Sequence, residues 1–442
     1  MTPPGQPQTG TVSRLVIAAW LLTAVFYFYQ YAMRSAPAVM MPELTQAFGM
    51  TAVGIASLLG LFYWGYAPFS LVAGVAMDQV GPRAVVPLGA ATVAVGAILF
   101  STGDTTLGSV GRFMQGAGGV FALIGAIYLV STYMPASRVA TMIGVTQMFG
   151  MAGGSAGQFA VGPIIAGGVK WDGFWLVTGL IGVPIAVLLF ILIPSRSSSG
   201  ETGSRPGLGT ALRGFGTVFA NPQSILCGLI AGLIFVPTTV FDMVWGVRFL
   251  EEAHNIPYSE AVLRSASVPF GWIIGCPLLG WISDRLGRRK PVILGATIVL
   301  LLCLAFILYG PPGLLPPYVL GLVTGIASGS AMINYTVIKE ANRPELSGTA
   351  TGVINFLNFA TTAILGPVFA TRLIAASQGG ERNLAHYQST FAPLLYGVGL
   401  AILLALILRE TGSKVRAQQR ASSDARNPPT PATETSHVYD SP

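Results

Sequence analysis

Two short stretches of this 442-residue chain, GVAMDQVGPR at residues 74–83 and GWISDRLGRR at residues 280–289, share a pattern of glycine, aspartate and arginine. Each stretch lies between two long apolar runs, although Asp, Glu, Lys and Arg together make up only 9% of the chain. Soluble domains carry about 25% charged residues. A chain this poor in charge that repeats a charged loop is typical of a membrane protein whose two halves follow one plan.

Twelve apolar stretches of roughly 18–25 residues follow one another along the chain, and this is the length an α-helix needs to cross a bilayer. The mean hydropathy of +0.66 agrees with that count. Backbone groups in lipid must find partners within the protein, and Gly- and Leu-rich stretches of this length are too long for barrel strands. We therefore predict an all-α membrane protein with twelve transmembrane helices, the first of them a retained span and not a cleaved signal.

The distribution of basic residues predicts the orientation in the membrane. With the N-terminus inside, 17 of the 24 Lys and Arg residues fall on the cytoplasmic side. We therefore expect a multi-pass protein of the cell inner membrane with both termini cytoplasmic. The net charge of +7 follows from this topology, and no basic–aromatic patch suggests nucleic acid.

Cysteine and histidine residues give no sign of a metal site or a disulfide framework. The three cysteines, Cys227, Cys276 and Cys303, are scattered through apolar stretches, and the three histidines are equally dispersed. We expect no metal and no cofactor.

The two halves of the chain resemble each other at three landmarks. Asp284 follows Asp78 by 206 residues, GVIN at 352–355 follows GVTQ at 144–147 by 208, and the Gly-Pro pair at 366–367 follows that at 162–163 by 204. Nearly equal offsets indicate a duplicated six-span unit, the internal repeat of transporter folds.

The duplication predicts two six-span units, at residues 15–194 and 222–409. The Ser-, Gly- and Arg-rich stretch 195–221 predicts a flexible cytoplasmic linker between them. Residues 1–14 and 410–442 are predicted to be cytoplasmic tails, the second of them disordered because it is polar and rich in Pro and Thr.

The repeated loop, together with Arg112-x-x-Gln115-Gly116-x-Gly118 at the start of span four, resembles the major facilitator superfamily. The N-terminal copy departs from the pattern, with Pro82 and Ala84 where a basic residue is common. The resemblance implies two pseudo-symmetric six-helix bundles that rock around a central cavity lined by spans one and seven. Each loop aspartate lies at a helix end, where it can pair with an arginine or with the positive N-terminus of another helix. The predicted gating residues are Asp78, Arg83, Asp284, Arg285 and Arg288.

Charged side chains within membrane spans are costly and usually functional. In span one, Arg34 shares a helix face with Tyr27, Gln30 and Tyr31, and in span seven Asp242 shares one with Trp245. Arginine binds carboxylates through paired hydrogen bonds, and a buried aspartate can carry a coupling proton. The alternative is a purely structural ion pair between the bundles. Asp242 is the predicted proton-coupling residue, and the predicted substrate-binding residues are Arg34, Arg112, Tyr27, Tyr31, Gln30, Gln147, Asn355, Asn358 and Trp245.

Polar residues in spans five and eleven have two readings. Gln147, Asn355 and Asn358 fit substrate contacts and fit hydrogen bonds between helices equally well.

Three functions remain open on the sequence. The sequence has no nucleophile elbow and no metalloprotease motif, so we expect that the protein is not an enzyme. It has no nucleotide-binding loop either, so the energy for transport must come from an ion gradient. The first hypothesis is proton-coupled uptake, by symport and alternating access, of a small organic anion or amino-acid-like nutrient. The second is a proton-coupled efflux antiporter for drugs or metabolites, and the third a non-transporting receptor or scaffold. Arginine-rich spans favour the first. The expected partners are a small-molecule substrate, the proton and the lipid bilayer, and the expected state is a monomer.

Overall fold

The computed structural model describes residues 13–194, 208–311, 315–378 and 380–414, and these residues form helices joined by short connections, with no β-strand among them. The first half contains the helices α1 (Arg14–Ser35), α2 (Ala52–Gln79), α3 (Pro82–Ser101), α4 (Thr105–Tyr133), α5 (Val139–Phe159) and α6 (Trp171–Leu192). The second half contains α7 (Pro222–Val236), α8 (Tyr258–Leu286), α9 (Lys290–Tyr309), α10 (Pro317–Ser328), α11 (Ser347–Ala376) and α12 (Leu384–Ile407).

Two of these helices change their geometry within the span. α7 continues as a π-helix over Pro237–Gly246 and then as an α-helix over Val247–His254, and α10 continues as Ala331–Glu340. Pro237 has no backbone N–H for the preceding turn, so the regular hydrogen-bond pattern is interrupted where the π-helix begins. Single-turn π-helices are frequent at functional sites. The π-helix of this protein is longer and spans ten residues.

Eleven spans in the described part of the chain are long and apolar enough to cross a membrane. The remaining helix, α5, is rich in Gly, Ser, Thr and Gln and packs between α1 and α8. Its face toward other helices needs small residues more than large apolar ones. With α5 the fold has the twelve predicted spans in two bundles.

Both repeated loops turn through a glycine in the left-handed region. Gly81 has φ +91° and Gly287 has φ +65°, and the two are 206 residues apart, as the duplication requires. Such a φ is strained for residues with a Cβ. We call the side of the molecule that carries these loops the loop side.

The two bundles meet on the loop side, where α2 crosses α11 and α5 crosses α8. Gly74 permits the first crossing, because a Cβ at this position would lie 2.6 Å from the carbonyl oxygen of Gly348. Gly280 stands at the matching position of the second crossing, against the backbone of Ala140. The loop side of the molecule is therefore closed.

Part of the predicted linker between the two halves forms a helix. Residues 208–220 of the predicted flexible linker form the helix Leu208–Ala220, whose Val218 is buried; this corrects the prediction for that part. Apolar side chains at 215, 218 and 219 favour a helix packed on the bundles over a free coil. Residues 1–12, 195–207 and 415–442 of the predicted tails and linker lie outside the described part.

Candidate functional site

A cavity of about 590 Å³ lies between the two bundles, on the side opposite the loops. α1 contributes residues near its C-terminal end and α8 residues near its N-terminal end, with α2, α4, α5, α11 and the π-helix completing the wall. Arg34 from the first bundle and Asp242 from the second both line it. We call this space the central cavity.

Arg34 is held in an aromatic cage within the central cavity. The centre of its guanidinium lies 4.8 Å from the Tyr31 ring, 4.9 Å from the Tyr63 ring and 5.4 Å from the ring of Phe359 in the opposite bundle. Its Nε donates to the Tyr63 hydroxyl at 3.3 Å, while the buried Nη1 has no hydrogen-bond partner in the part of the chain that the structure describes. No Asp or Glu of the described residues forms an ion pair with it. Aromatic faces stabilise the cation and leave its hydrogen bonds available for an anion.

Arg112 lies beside Arg34 and is only 2% exposed. Its Nη1 donates to the Gln115 side chain at 2.6 Å and to the Met33 carbonyl at 3.3 Å, so α4 is tied to α1 one residue before Arg34. Both guanidinium groups contact the Phe62 ring, Arg112 at 5.3 Å and Arg34 at 5.9 Å from its centre. Arg112 thus positions the cage, and it also lines the central cavity.

Asp242 lies in the middle of the π-helix, at the wall of the central cavity. Ser265 donates to its Oδ1 at 3.1 Å, and its buried Oδ2 has no partner among the described residues. Asp242 and Arg34 do not form an ion pair. The structural ion pair considered on the sequence is therefore not made in this conformation.

Of the remaining predicted substrate-binding residues, Tyr31 lines the central cavity, whereas the others lie away from its wall. Most of these are buried between helices on its loop side. The Tyr27 hydroxyl donates to Gln147 at 3.0 Å, the Tyr335 hydroxyl donates to Asn355 at 3.0 Å, and Asn358 donates to Tyr335 at 3.4 Å. These contacts join helices in the present conformation.

Two predicted residues have other surroundings. Gln30 is 1% exposed, and neither atom of its amide has a partner among the described residues. Trp245 packs between two guanidinium groups, with Arg248 at 5.9 Å and Arg382 at 5.4 Å from its ring centre. It does not line the central cavity.

The loop aspartates each cap a helix of the opposite bundle. Asp78 accepts from the backbone N–H of Gly348 at 2.7 Å, and from the N–H and hydroxyl of Thr349 at 2.6 Å each, at the start of α11. Asp284 accepts from the N–H and hydroxyl of Thr141, at 2.8 Å each, near the start of α5. A carboxylate is stabilised by the positive end of a helix dipole and by these orphan N–H groups.

Arg289 adds an ion-pair network in the second half. It is 1% exposed and contacts Asp284 at 2.6 Å and Glu340 at 3.0 Å, while its backbone N–H donates to Glu410 at 2.7 Å. Lys339 crosses the bundles beside it and donates to the Ile127 carbonyl at 3.0 Å.

The predicted gating arginines do not make this ion pair. Arg83 lies over the Phe190 ring and Arg285 over the Trp281 ring, while Arg288 is exposed. The spacing of the repeat did not distinguish Arg289 from its neighbours, because the difference is the direction in which each side chain leaves the turn.

Sequence reasoning also missed four residues of the central site. Phe62 and Tyr63 of α2, Ser265 of α8 and Phe359 of α11 contact Arg34, Arg112 or Asp242. A cluster of aromatic residues at 62–66 was a signal for α2. Nothing local marks Ser265 or Phe359, because each meets its partner only through the packing of distant helices.

The model of the family described as Major Facilitator Superfamily matches residues 23–367. The chain is 25% identical to the hexuronate transporter of Bacillus subtilis (strain 168), over 82% of this chain and 90% of that protein. It is 23% identical to the membrane sensor protein UhpC of Salmonella typhimurium, over 89% and 90% of the two chains. The crystal structure of the E. coli fucose:proton symporter FucP is similar at TM-score 0.70 and 16% identity, covering 90% of this chain and all of that one.

Proposed function

Since the chain belongs to the Major Facilitator Superfamily and is a multi-pass secondary transporter, not an enzyme, we propose that it takes up a small organic anion together with protons. The loop side is cytoplasmic in this proposal, with both termini on it, so the central cavity is open toward the outside. The observation that carries the proposal is Arg34, a caged guanidinium in the cavity without an acidic partner among the described residues.

The chemistry of Arg34 favours a carboxylate substrate. A planar guanidinium binds the two oxygens of a carboxylate in parallel, and the buried Nη1 of Arg34 has no partner among the described residues that would compete with the substrate. A partly buried cation without a counter-ion is costly, so an arriving anion gains free energy that an internal partner would otherwise have supplied. The similarity to a hexuronate transporter supports a substrate of sugar-acid size.

Asp242 is proposed as the proton carrier. It faces Arg34 across the same cavity and has a hydrogen bond from Ser265 but no basic partner among the described residues. A carboxyl in this position can bind and release a proton while the cavity changes access. The similarity to a fucose:proton symporter supports proton coupling on the same fold.

Alternating access is proposed to work through the caps at Asp78 and Asp284. Opening of the loop side separates α2 from α11 and α5 from α8, so both carboxylates must leave their helix N-termini. The polar groups of Tyr27, Gln147 and Asn355, now paired between helices, would then face the inward-open cavity.

Uptake by the purified protein in liposomes tests the proposal. Labelled glucuronate, citrate, fucose and alanine are offered with and without an acidic exterior. We expect uptake of an anion driven by the pH gradient, and no uptake of fucose. Arg34→Gln should raise the KM for that anion by roughly 30-fold or more, the effect of losing about 2–5 kcal/mol from a buried charged hydrogen-bond pair. Arg248→Gln, which changes an exposed arginine of α7's continuation, is the matched control.

Three outcomes would overturn the proposal. Equal KM values for Arg34→Gln and wild type would remove Arg34 from the site. Flux that occurs only outward in exchange for protons would indicate the efflux antiporter. Binding of a ligand without flux of any kind would indicate a receptor, the role suggested by the name of the sensor relative.

A further inference from the structure

A second cavity, of about 780 Å³, lies inside the C-terminal bundle. The continuation of α7 and the helices α8, α9, α10 and α12 line this partly open space, again on the side opposite the loops. Its wall is largely apolar, with Phe241, Val268 and Leu304 among its residues. We call it the C-terminal cavity.

Asp242 and Ser265 are the two residues of the described chain that line both cavities. Their side chains are hydrogen-bonded to each other at 3.1 Å, so this pair forms part of the wall that separates the two spaces. The second carboxylate oxygen of Asp242 is buried and has no partner among the described residues. Because Asp242 lines both cavities, it borders each of the two spaces.

We propose that protons reach Asp242 through the C-terminal cavity, while the anion uses the central cavity. This inference rests on the proposed role of Asp242 as the proton carrier. A water molecule needs a cavity volume of only about 10–15 Å³, so the C-terminal cavity is large enough for a connected file of waters. Side chains that can hydrogen-bond to these waters line it at Asn255, Tyr309, Gln388 and Thr324.

The charges around the two cavities favour this division. In the central cavity Arg34 has no acidic partner among the described residues, and its positive charge opposes the approach of a hydrated proton. In the C-terminal cavity Arg264 is neutralised by Glu260 at 2.5 Å. A proton therefore meets less repulsion on the C-terminal side of Asp242.

The groups that face Asp242 come from a small number of elements. Among the described residues that line either cavity, α10, α11 and α12 contribute no charged side chain. The charged or titratable groups on the walls are Arg34 of α1, Tyr31 of α1, Tyr63 of α2, Arg112 of α4, Arg264 of α8, Tyr309 of α9 and His254 at the end of α7's continuation.

Separate routes for the proton and the anion predict a different effect of bound anion than one shared route through the central cavity. Because the anion occupies the central cavity only, its presence should not obstruct proton transfer to Asp242. Binding of the anion also neutralises Arg34, so a substrate-loaded transporter should accept the proton at least as well as an empty one.

Matched alanine-to-phenylalanine changes test the route. Ala253 lines the C-terminal cavity and Ala266 the central cavity, and both are half-buried. In liposomes with an internal pH dye, we expect Ala253→Phe to slow substrate-coupled proton entry roughly tenfold. Substrate counterflow, which needs no net proton movement, should stay near the wild-type rate. Ala266→Phe should instead raise the KM for the anion.

Chemical labelling of Asp242 in the wild-type protein tests the same route without a substitution that could impair folding. Dicyclohexylcarbodiimide is apolar and modifies protonated buried carboxyl groups, and mass spectrometry reports the labelled fraction of Asp242. Saturating anion, the one identified by the uptake assay, should leave that fraction unchanged or raise it if the route is the C-terminal cavity. Protection of Asp242 by the anion would overturn the inference.

The possible failures are distinguishable. If Asp242→Asn abolishes proton-driven uptake but Ala253→Phe behaves as wild type, the separate route is wrong and the proposed proton carrier stands. If Asp242→Asn transports with its normal pH dependence, the proton role fails and the route with it.

Discussion

Replacement of Asp78 by asparagine should shift the transporter toward its loop-side-open conformation. The carboxylate accepts three hydrogen bonds at the start of α11, two of them from backbone N–H groups. Asparagine keeps one acceptor oxygen, loses the charge and turns an N–H₂ group toward these donors. Hydrogen bonds to charged groups contribute about 1.5–3 kcal/mol each and neutral ones about 0.5–1.5 kcal/mol.

The expected loss is about 3 kcal/mol for the closed conformation, since one charged bond disappears and at least one other weakens. A difference of about 1.4 kcal/mol changes an equilibrium tenfold, so the ratio of open to closed molecules should rise by roughly 100-fold. A mutation that affects the open conformation equally would not change this ratio.

Distances between spin labels across the loop side measure the change. Val80 at the end of α2 and Glu345 just before α11 are both exposed and lie in opposite bundles. The native cysteines of the described chain are buried and can be replaced beforehand. In the Asp78→Asn protein, a population with a longer distance between the labels should appear or increase.

Arg285→Gln is the matched control, because this exposed side chain of the second loop lies over Trp281 and makes no gate contact among the described residues. It should leave the distance distribution as in wild type. If Asp78→Asn and Arg285→Gln give the same distribution, the helix cap at Asp78 does not hold the loop side closed and the reasoning is refuted.

Two further changes test the packing and the charges on the loop side. Gly74→Ala places a Cβ 2.6 Å from the Gly348 carbonyl oxygen, so transport should fall severely. The control is Gly295→Ala, which has no neighbour within 4 Å and should transport normally. Equal transport rates of the two variants in the liposome assay would contradict the close crossing of α2 and α11. Arg289→Gln breaks a buried ion-pair network with two carboxylates and should cost about 3–5 kcal/mol of stability, seen as a lower unfolding temperature in detergent. The exposed neighbour, tested as Arg288→Gln, should unfold like wild type, and an equal loss in both would show that burial of Arg289 contributes nothing.

The twelve spans and the duplication could be predicted from the sequence because both depend on patterns along the chain. A helix that crosses lipid needs about twenty apolar residues, and this requirement is visible in any window of that length. The repeat was visible at Asp78 and Asp284, where the fold uses the same glycine turn twice. The linker prediction failed over 208–220 because the packing that favours that helix comes from residues far away in the chain.

The residues of the central cavity, too, could be predicted only in part from the sequence. Arg34 and Asp242 could be identified from the sequence as candidate functional residues of spans one and seven. Charged side chains are energetically costly within a membrane span and are therefore rare there. The sequence did not determine that Phe359 and Tyr63 would form the cage, that Ser265 would bond to Asp242, or that Trp245 would point away from the central cavity.

Composition and periodicity along the chain thus determined the number of helices and their duplication. Only the tertiary structure decided which side chains meet in the central cavity and that a second cavity adjoins Asp242. The physical reason is the helix itself: with about 3.6 residues per turn, each residue is rotated by roughly 100° from the last. The rotation of each helix about its own axis decides which of its residues point into a cavity. This rotation is fixed by packing against helices that lie up to hundreds of residues away in the chain.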